Sequence, residues 1–370
     1  MNILNKFTGC LFGGAVGDAL GYPVEFMNEK EIKKYFGESG ITKYCLDTQK
    51  KALISDDTQM TLFTTNGLIS GFTKSNGKKS ESGFMESIRL SYLDWYKTQT
   101  KPKPDSITPK SSWIANMPYM YDLRAPGNTC LTSCSLGANG TPENPINASC
   151  GCGGVMRVAP IGLMFNPANG YSIEEIDIFG ARAAALTHGH QLGYIPAAAL
   201  VHIVNRLTYT KMTPREAVED AIVTINKIFA PSESLNKMTI LMQTALDLAT
   251  NSQNDLIAIH KLGRGWTGDE ALAIAIYCAV KYCKDFTKAV IVSVNHRGDS
   301  DSTGSITGNI LGAYLGFDDI PAKYRNDVEL RDMIMELATD LYYCGVPTVS
   351  ELMDDAIWQQ KYVHMTYNEI

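Results

Sequence analysis

Glycines at every fourth position in two segments of the chain constrain its fold most. They fall at positions 9, 13, 17 and 21, and again at 304, 308, 312 and 316. On an α-helix this spacing places all four glycines on one face, where each costs up to ~1 kcal/mol of helix propensity. Rows of glycine at such a cost predict a close backbone approach, either to another helix or to a ligand.

Apolar periodicity after residue 170 predicts further helices. Apolar residues recur three and four positions apart, for example at Ile176, Phe179, Ala183 and Leu186. Capping-box pairs such as Ser172 with Glu175 mark helix starts. The β-branched run 289–294 has strand propensity, and we nevertheless predict a helix there. The sequence therefore predicts an all-α fold, a single compact many-helix domain over residues 1–370.

The segment 70–150 has a different composition. It contains Lys101-Pro102-Lys103-Pro104 and a run of turn residues from Gly137 to Pro145. Such composition is typical of loops, so we expect a loop-rich insertion with one helix at about Phe84 to Lys97.

Composition excludes several classes of partner. The formal charge of -6 and a pI near 5.6 argue against a nucleic-acid surface. The longest apolar run, Ala271 to Val280, is far shorter than the roughly 18 residues that a membrane span requires. The nine cysteines are odd in number and irregularly spaced, as expected of reduced thiols. We therefore expect a cytoplasmic protein.

Two short acid–hydroxyl segments carry the main functional signal. They are Ser55-Asp56-Asp57-Thr58 and Asp299-Ser300-Asp301-Ser302-Thr303, and each is predicted to open a helix. One alternative is simple capping, in which Ser55 caps the helix and the acids complement its dipole. A cap needs only one side chain, however. Four carboxylates brought together repel one another unless a cation lies among them, and hard oxygen ligands suit Mg²⁺, Mn²⁺ or Ca²⁺. A metal-assisted hydrolase is the first hypothesis.

Two other segments are weaker signals. Glu25 follows the first glycine row on a predicted turn, where an isolated glutamate is usually just solvated. The glycine-rich run Gly151-Cys152-Gly153-Gly154-Val155-Met156-Arg157 could point backbone N–H groups at a phosphate, with the arginine nearby. An ordinary tight turn is an equally good interpretation of this run.

Together these segments resemble the ADP-ribosylglycohydrolase family. The resemblance covers about residues 5 to 345, and its blocks occur in the family's order. They are Gly17-Asp18-Ala19-Leu20-Gly21 with Glu25, Ser55-Asp56-Asp57-Thr58, Gly151 to Arg157, Leu186-Thr187-His188, and Gly298-Asp299-Ser300-Asp301-Ser302-Thr303-Gly304. Arg124-Ala125-Pro126-Gly127 and the form of the last block are similar to the ADP-ribosylarginine hydrolase branch.

The resemblance implies an all-α fold with two Mg²⁺ ions, for which Mn²⁺ is a possible substitute. It implies the metal ligands Ser55, Asp56, Asp57, Asp299, Asp301 and Ser302. The implied catalytic residues are Glu25 as a gate or acid/base group and Asp57 or Asp301 as the base. The implied substrate-binding residues are Gly151, Gly153 and Gly154 at the diphosphate, His188 at the ADP-ribose, and Trp266 at the adenine or ribose.

The resemblance also implies the reaction. We expect a hydrolase that removes ADP-ribose from modified protein side chains, most plausibly at the N-glycosidic bond to arginine. A serine O-linked or small-molecule substrate is an alternative. Another alternative is an immunity-type protein that neutralises a cognate ADP-ribosyltransferase toxin by reversing the modification, by blocking the toxin directly, or by both.

A rival metal hypothesis uses four thiols. Cys130, Cys134, Cys150 and Cys152 lie within 23 residues, which could form a structural zinc site. Their spacing does not match ordinary zinc knuckles, so this interpretation ranks well below the carboxylate centre.

Overall fold

The regular secondary structure of this protein is helical. The structure is a computed structural model that describes residues 2–102, 109–251, 254–345 and 349–368. Within these ranges there is no strand, and three isolated bridges pair single residues. The α-helices of the described ranges are α1 (Ile3–Gly21), α2 (Glu29–Phe36), α3 (Asp56–Lys74), α4 (Glu81–Thr100), α5 (Asn128–Ser135), α6 (Ala159–Met164), α7 (Ile173–Ala185), α8 (Gln191–Tyr209), α9 (Pro214–Ile228), α10 (Glu233–Asn251), α11 (Asp255–Leu262), α12 (Gly268–Lys281), α13 (Phe286–Val294), α14 (Ser300–Leu315), α15 (Ala322–Arg325), α16 (Arg331–Tyr343), α17 (Val349–Asp354) and α18 (Ala356–Trp358). The all-α prediction is confirmed, and the β-branched run 289–294 lies in α13.

The two glycine rows face each other where α1 packs on α14. A Cβ atom on Gly13 would overlap the carbonyl of Gly308, and one on Gly9 would overlap the carbonyl of Gly312. The rows therefore serve close packing of two helices rather than approach to a ligand. Backbone contact of this kind is possible only where neither helix carries a side chain at the crossing.

Helix α1 occupies the centre of the domain. Its residues 6–21 are all buried, on every face of the helix. A helix that is buried all round has no solvent-facing polar stripe, so its burial depends on neighbours on all sides. α3, α8, α14 and α16 supply these neighbours.

The prediction of a loop-rich insertion with one helix over 70–150 is wrong in its helix content, because this segment also holds the end of α3 and all of α5, which buries Cys130 and Cys134 in the core. The predicted helix at 84–97 is α4, which runs from Glu81 to Thr100 and packs along α3 through buried residues such as Ile88 and Trp95. Residues 103–108 of this segment, with part of the Lys-Pro run, lie outside the described residues.

The packing brings the functional segments to one place. Gly21, the last residue of α1, lies against the first turn of α14, where a Cβ would meet the Cα of Asp301 at 2.7 Å. The start of α3 joins them through Asp18 of α1. None of the described helices has the length and hydropathy of a membrane span.

Candidate active site

The N-terminus of α3 is held in place by Asp18. This buried carboxylate accepts hydrogen bonds from the backbone N–H of Ser55 at 2.9 Å and of Thr58 at 3.1 Å, and from the Thr58 hydroxyl. Ser55 is the N-cap, and its Oγ accepts from the Asp57 N–H at 3.2 Å. Asp18 thus satisfies backbone donors that a helix start leaves unpaired, and it orients the two acids that follow.

Asp56 is fixed by the stretch from Arg124 to Gly127. Its backbone N–H donates to the Arg124 carbonyl at 2.8 Å, and its Oδ2 accepts from the Gly127 N–H at 3.0 Å. Arg124 itself pairs with Glu329 at 2.6 Å, and Glu329 also accepts from the backbone N–H of Ile54. This part of the segment 70–150 is therefore an integral part of the site.

The second acid–hydroxyl segment starts α14. Asp299 is the N-cap of α14, and its Oδ1 accepts a hydrogen bond from the Ser302 N–H at 3.4 Å. Asp301 Oδ1 accepts from the same N–H at 3.0 Å. The thiol of Cys152 donates to Asp299 Oδ2 at 2.7 Å. The glycine-rich loop and the α14 N-terminus are thus in direct contact.

These carboxylates converge. Oxygens of Glu25, Asp299 and Asp301 lie within 4.8 Å of one another. With Asp56 and Asp57 they form what we call the acidic cluster, which lines a cavity of about 190 Å³. The other predicted site residues that line this cavity are Ser302, Gly151, Gly153, His188 and Trp266. Two predicted residues do not line it: Ser55 is fully buried with its hydroxyl hydrogen-bonded to Asp301, and Gly154 lies against the Gly193 carbonyl.

Burial raises the pKa of every acid in the cluster, and neighbouring carboxylates add to the increase for every member except Asp301. Burial, then the Asp301, Asp299 and Asp56 charges, raises the pKa of Glu25 to about 10. Burial is also the main cause for Asp56, whose pKa rises to about 8, and for Asp57, Asp299 and Asp301, whose pKa values rise too. Without a cation these groups ionise less readily than free carboxylic acids, because neighbouring carboxylates cannot all ionise in a low-dielectric site.

The acidic cluster fits a divalent cation. Glu25 Oε2 and Asp57 Oδ2 are buried and have no hydrogen-bond donor among the described residues. Buried acceptors are normally paired, so such orphaned oxygens indicate a missing partner. Carboxylate and hydroxyl oxygens are the donors that Mg²⁺ and Mn²⁺ prefer.

The glycine-rich loop packs tightly around His188. A Cβ on Gly153 would meet His188 Cε1 at 3.0 Å, so a larger residue would displace the ring. The N–H of Gly151 donates to Ser149 Oγ and that of Cys152 donates to the Trp266 carbonyl, so these two donors are already paired within the protein. The glycines here are needed at least as much for close packing as for approach to a phosphate.

Arg157 does not reach the cavity. Its side chain is fully buried, donates to Thr187 Oγ1 at 2.6 Å and lies 4.4 Å from the centroid of the Tyr92 ring. Burial and the Arg157 charge lower the pKa of His188 to about 3, so the histidine is neutral. Arg157 is therefore a structural residue beneath the site, contrary to the suggestion that it lies beside a phosphate.

An exposed aromatic pair borders the cavity. The rings of Phe26 and Trp266 stack with centroids 5.9 Å apart and an interplanar angle of 21°. Phe26 is 75% exposed and Trp266 is 40% exposed, so the tryptophan is not a core residue. Large apolar rings left in water beside a polar cavity are typical of ligand-binding surfaces.

The four-cysteine zinc hypothesis is wrong. Cys130 Sγ accepts from the Arg157 guanidinium at 3.4 Å, and Cys152 faces Asp299. Among the described residues, the only three-residue group of metal-ligand type that converges within 4.8 Å is the one formed by Glu25, Asp299 and Asp301.

Some site residues carry no recognisable sequence signal. The partners of Asp18 lie 37 and 40 residues away, so no local pattern marks it as the group that orients α3. Phe26 and Cys152 each stand inside a recognised segment, yet only the fold shows that one stacks on Trp266 and the other touches Asp299.

The helical fold and the cavity define the class: an all-α protein with a carboxylate-lined cavity built between helix N-termini. A sequence profile described as ADP-ribosylglycohydrolase matches residues 1–347. Because this match covers most of the chain, the protein belongs to the ADP-ribosylglycohydrolase family.

Individual relatives are distant. An uncharacterised protein of Archaeoglobus fulgidus is 25% identical, covering 91% of this chain and 96% of its own. The ADP-ribosyl-[dinitrogen reductase] glycohydrolase of Rhodospirillum rubrum is 24% identical, over 89% and 92% of the two chains. Human ADP-ribosylhydrolase ARH3 is 24% identical, over 49% of this chain and about half (54%) of its own length.

A solved structure supports the fold. A chain described as an ADP-ribosylglycohydrolase-related protein complex superposes with a TM-score of 0.58 at 21% identity, covering 93% of this chain and 99% of that chain.

Proposed function

We propose that this protein is a metal-dependent hydrolase that removes ADP-ribose from modified protein side chains by cleaving the N-glycosidic bond to arginine. The observation that carries the proposal is the convergence of five carboxylates on one cavity, with buried oxygens that lack a donor. Family membership supports the ADP-ribosyl substrate.

Six side chains would hold two Mg²⁺ ions. Asp56, Asp57, Asp299 and Asp301 would supply charge, and Ser55 and Ser302 would add hydroxyl oxygens. When bound, the ions supply Lewis acidity that orients the ribose hydroxyls and a water and lowers the pKa of that water. Asp18 and Gly127 keep α3 and Asp56 in position for this task.

The acids also provide the proton transfers. Asp57 and Asp301 are candidate bases for the attacking water, since both lie in the cluster and Asp57 Oδ2 has no other partner among the described residues. Charge at the anomeric carbon becomes oxocarbenium-like as the bond breaks, and nearby carboxylates stabilise it. The arginine guanidinium is already protonated and leaves as neutral guanidine without help from an acid, whereas Glu25 at the cavity wall could donate a proton to a poorer leaving group.

The remaining cavity walls suit an ADP-ribosyl group. The Trp266 ring is partly exposed and can stack on a planar base, as base–aromatic stacking requires. His188 is neutral, and its Nδ1 is paired with Thr187 Oγ1 at 2.8 Å, which leaves Nε2 toward the glycine-rich loop. Ala125 and Gly127 also line the cavity, which supports the arginine linkage suggested by the resemblance of Arg124-Ala125-Pro126-Gly127 to that branch.

The test is release of ADP-ribose from matched protein substrates carrying ADP-ribosylarginine or ADP-ribosylserine, with Mg²⁺ or with a chelator. We expect Mg²⁺-dependent release from the arginine substrate, and none from the Asp301→Ala variant. Full release in chelator would contradict the metal mechanism. Release from the serine substrate alone would contradict the arginine linkage but not the hydrolase.

A further inference from the structure

A thiol lies at the edge of the acidic cluster. Cys152 Sγ is 2.7 Å from Asp299 Oδ2, and the Ser302 hydroxyl interacts with both groups. Cys152 is partly exposed and lines the same cavity of about 190 Å³ as the acids. A thiol, a carboxylate and a hydroxyl therefore converge at one wall of the site.

A second observation is that the cavity lined by this thiol also contains carboxylate oxygens without a hydrogen-bond partner among the described residues. Glu25 Oε2 and Asp57 Oδ2 line the same cavity, are buried, and have no hydrogen-bond donor among the described residues. The side chain of Asp57 is only 2% exposed, so water does not satisfy that oxygen from bulk solvent. A cation held by Cys152 and Asp299 would therefore lie in a cavity that also presents unpaired carboxylate oxygens.

We propose that Cys152 and Asp299 make this centre a binding site for the thiophilic divalent cations Zn²⁺ and Cd²⁺, and that either cation, once bound, excludes Mg²⁺ from the centre. The inference rests on the proposed metal centre. Sulfur ligands select soft or borderline cations and add nothing to a Mg²⁺ site, which prefers oxygen. On binding, the thiol proton is released to solvent and a sulfur–metal bond forms. The cation then occupies Asp299, which Mg²⁺ also requires.

The chain contains suitable control thiols. Cys150 lies two residues away and is also partly exposed, but its side chain does not line the cavity. Cys130 lines the cavity, yet its Sγ contacts the Arg157 guanidinium, whose charge repels a cation. Cys150→Ser therefore removes a neighbouring thiol without removing the proposed ligand.

The experiment is a Cd²⁺ titration of the metal-free protein, in which the ultraviolet thiolate-to-cadmium charge-transfer absorption is measured after each addition. We expect Cys152→Ser and Cys152→Ala to lose one equivalent of this absorption, and Cys150→Ser to keep it. In activity assays normalised to each variant's own Mg²⁺-supported rate, the Zn²⁺ concentration that halves the rate should rise at least about tenfold in Cys152→Ser, because loss of even an outer partner of a metal site weakens binding that much.

The outcomes separate this inference from the proposed function. An unchanged cadmium absorption in both Cys152 variants overturns the inference, whatever the activity. The titration requires no substrate, so absorption that depends on Cys152 supports the inference even if the protein releases no ADP-ribose. Mg²⁺-dependent release with no Cys152-dependent absorption leaves the proposed function standing and removes the thiophilic site.

Discussion

Gly17 and Gly304 face each other across the contact of α1 with α14, and a methyl group on either glycine would overlap the other's carbonyl. Gly17 directly precedes Asp18, which orients the start of α3. Gly304 lies one turn after the acids of α14. The spacing of these two helices therefore sets the spacing of the two acid–hydroxyl segments.

Replacing Gly17 by alanine should destabilise the protein. The added methyl group gains helix propensity but must push α14 away, and overpacking of this kind costs about 1–3 kcal/mol. We expect a lower Tm and weaker Mg²⁺ binding, measured by thermal denaturation and calorimetry. Gly345→Ala is the matched control, since its Cβ would meet nothing closer than 3.5 Å, and an equal loss in both variants would contradict the packing role.

Replacing Asp57 by asparagine should separate stability from metal binding. Removing a charge from a cluster of repelling buried acids raises the Tm of the metal-free protein, while the lost ligand removes the stabilisation by Mg²⁺. Thermal denaturation with and without Mg²⁺ measures both effects. The exposed acid Asp318, changed to asparagine, serves as the control and should alter neither. Undiminished stabilisation of Asp57→Asn by Mg²⁺ would remove Asp57 from the ligand set.

The stabilisation by Mg²⁺ should increase with pH. Burial raises the pKa of Asp18 to about 7 and that of Asp56 to about 8, so the metal-free fold binds more protons than the unfolded chain. The stability that these two acids contribute is therefore fully present below their unfolded pKa of about 3.8 and is lost as the pH rises from there to 7 or 8. Mg²⁺ must displace the proton of Asp56, a proposed ligand, so the Tm increase on adding Mg²⁺ should be larger at about pH 8.5 than at about pH 6.

Comparing the Tm with and without Mg²⁺ at each pH cancels the contribution that groups outside the cluster, such as the buried His188, make to the pH dependence of the Tm. An increase on adding Mg²⁺ that is independent of pH, or larger at pH 6, would contradict this linkage.

Replacing Trp266 by alanine should weaken substrate binding more than turnover. The ring stacks on Phe26 at the cavity border. Unlike the converging carboxylates, an indole ring supplies no acid or base for the chemical step. Loss of one stacking contact costs about 1–3 kcal/mol, which corresponds to roughly a 5- to 150-fold higher KM with kcat little changed. Tyr35, another exposed aromatic residue, is the control when changed to alanine. A fall in kcat alone would place Trp266 in the chemical step instead.

Replacing Asp18 by alanine should reduce metal affinity although Asp18 need not touch the metal. Its carboxylate holds the N–H groups of Ser55 and Thr58, and loss of such a supporting partner typically costs 10- to 100-fold in affinity (a rough range). Asp177 is the matched buried control, because it pairs with His202 elsewhere in the fold. Calorimetric Mg²⁺ titration of the two variants measures the difference, and equal affinities would contradict the positioning role.

Much of the site was predictable because it lies in short segments with local signatures. Asp56 and Asp301 stand at helix starts, where hydroxyl and acid residues are recognisable as caps, and the pairing of two such starts suggested a cation. The positions of Gly154 and Arg157 relative to the cavity were not predictable. Both belong to a loop whose pattern fits a phosphate site, but packing against Gly193 and Thr187 directs them away from the cavity.

The sequence by itself determined the helices and the chemistry of their ends, because apolar spacing, caps and glycine rows act within a few residues. Only the tertiary structure decided that Gly17 meets Gly304, that Asp18 supports Ser55, and that a thiol at Cys152 touches Asp299. These contacts join segments up to 287 positions apart, as between 17 and 304. Their geometry depends on how whole helices pack, and burial in that packing also raises the pKa values of the acidic cluster.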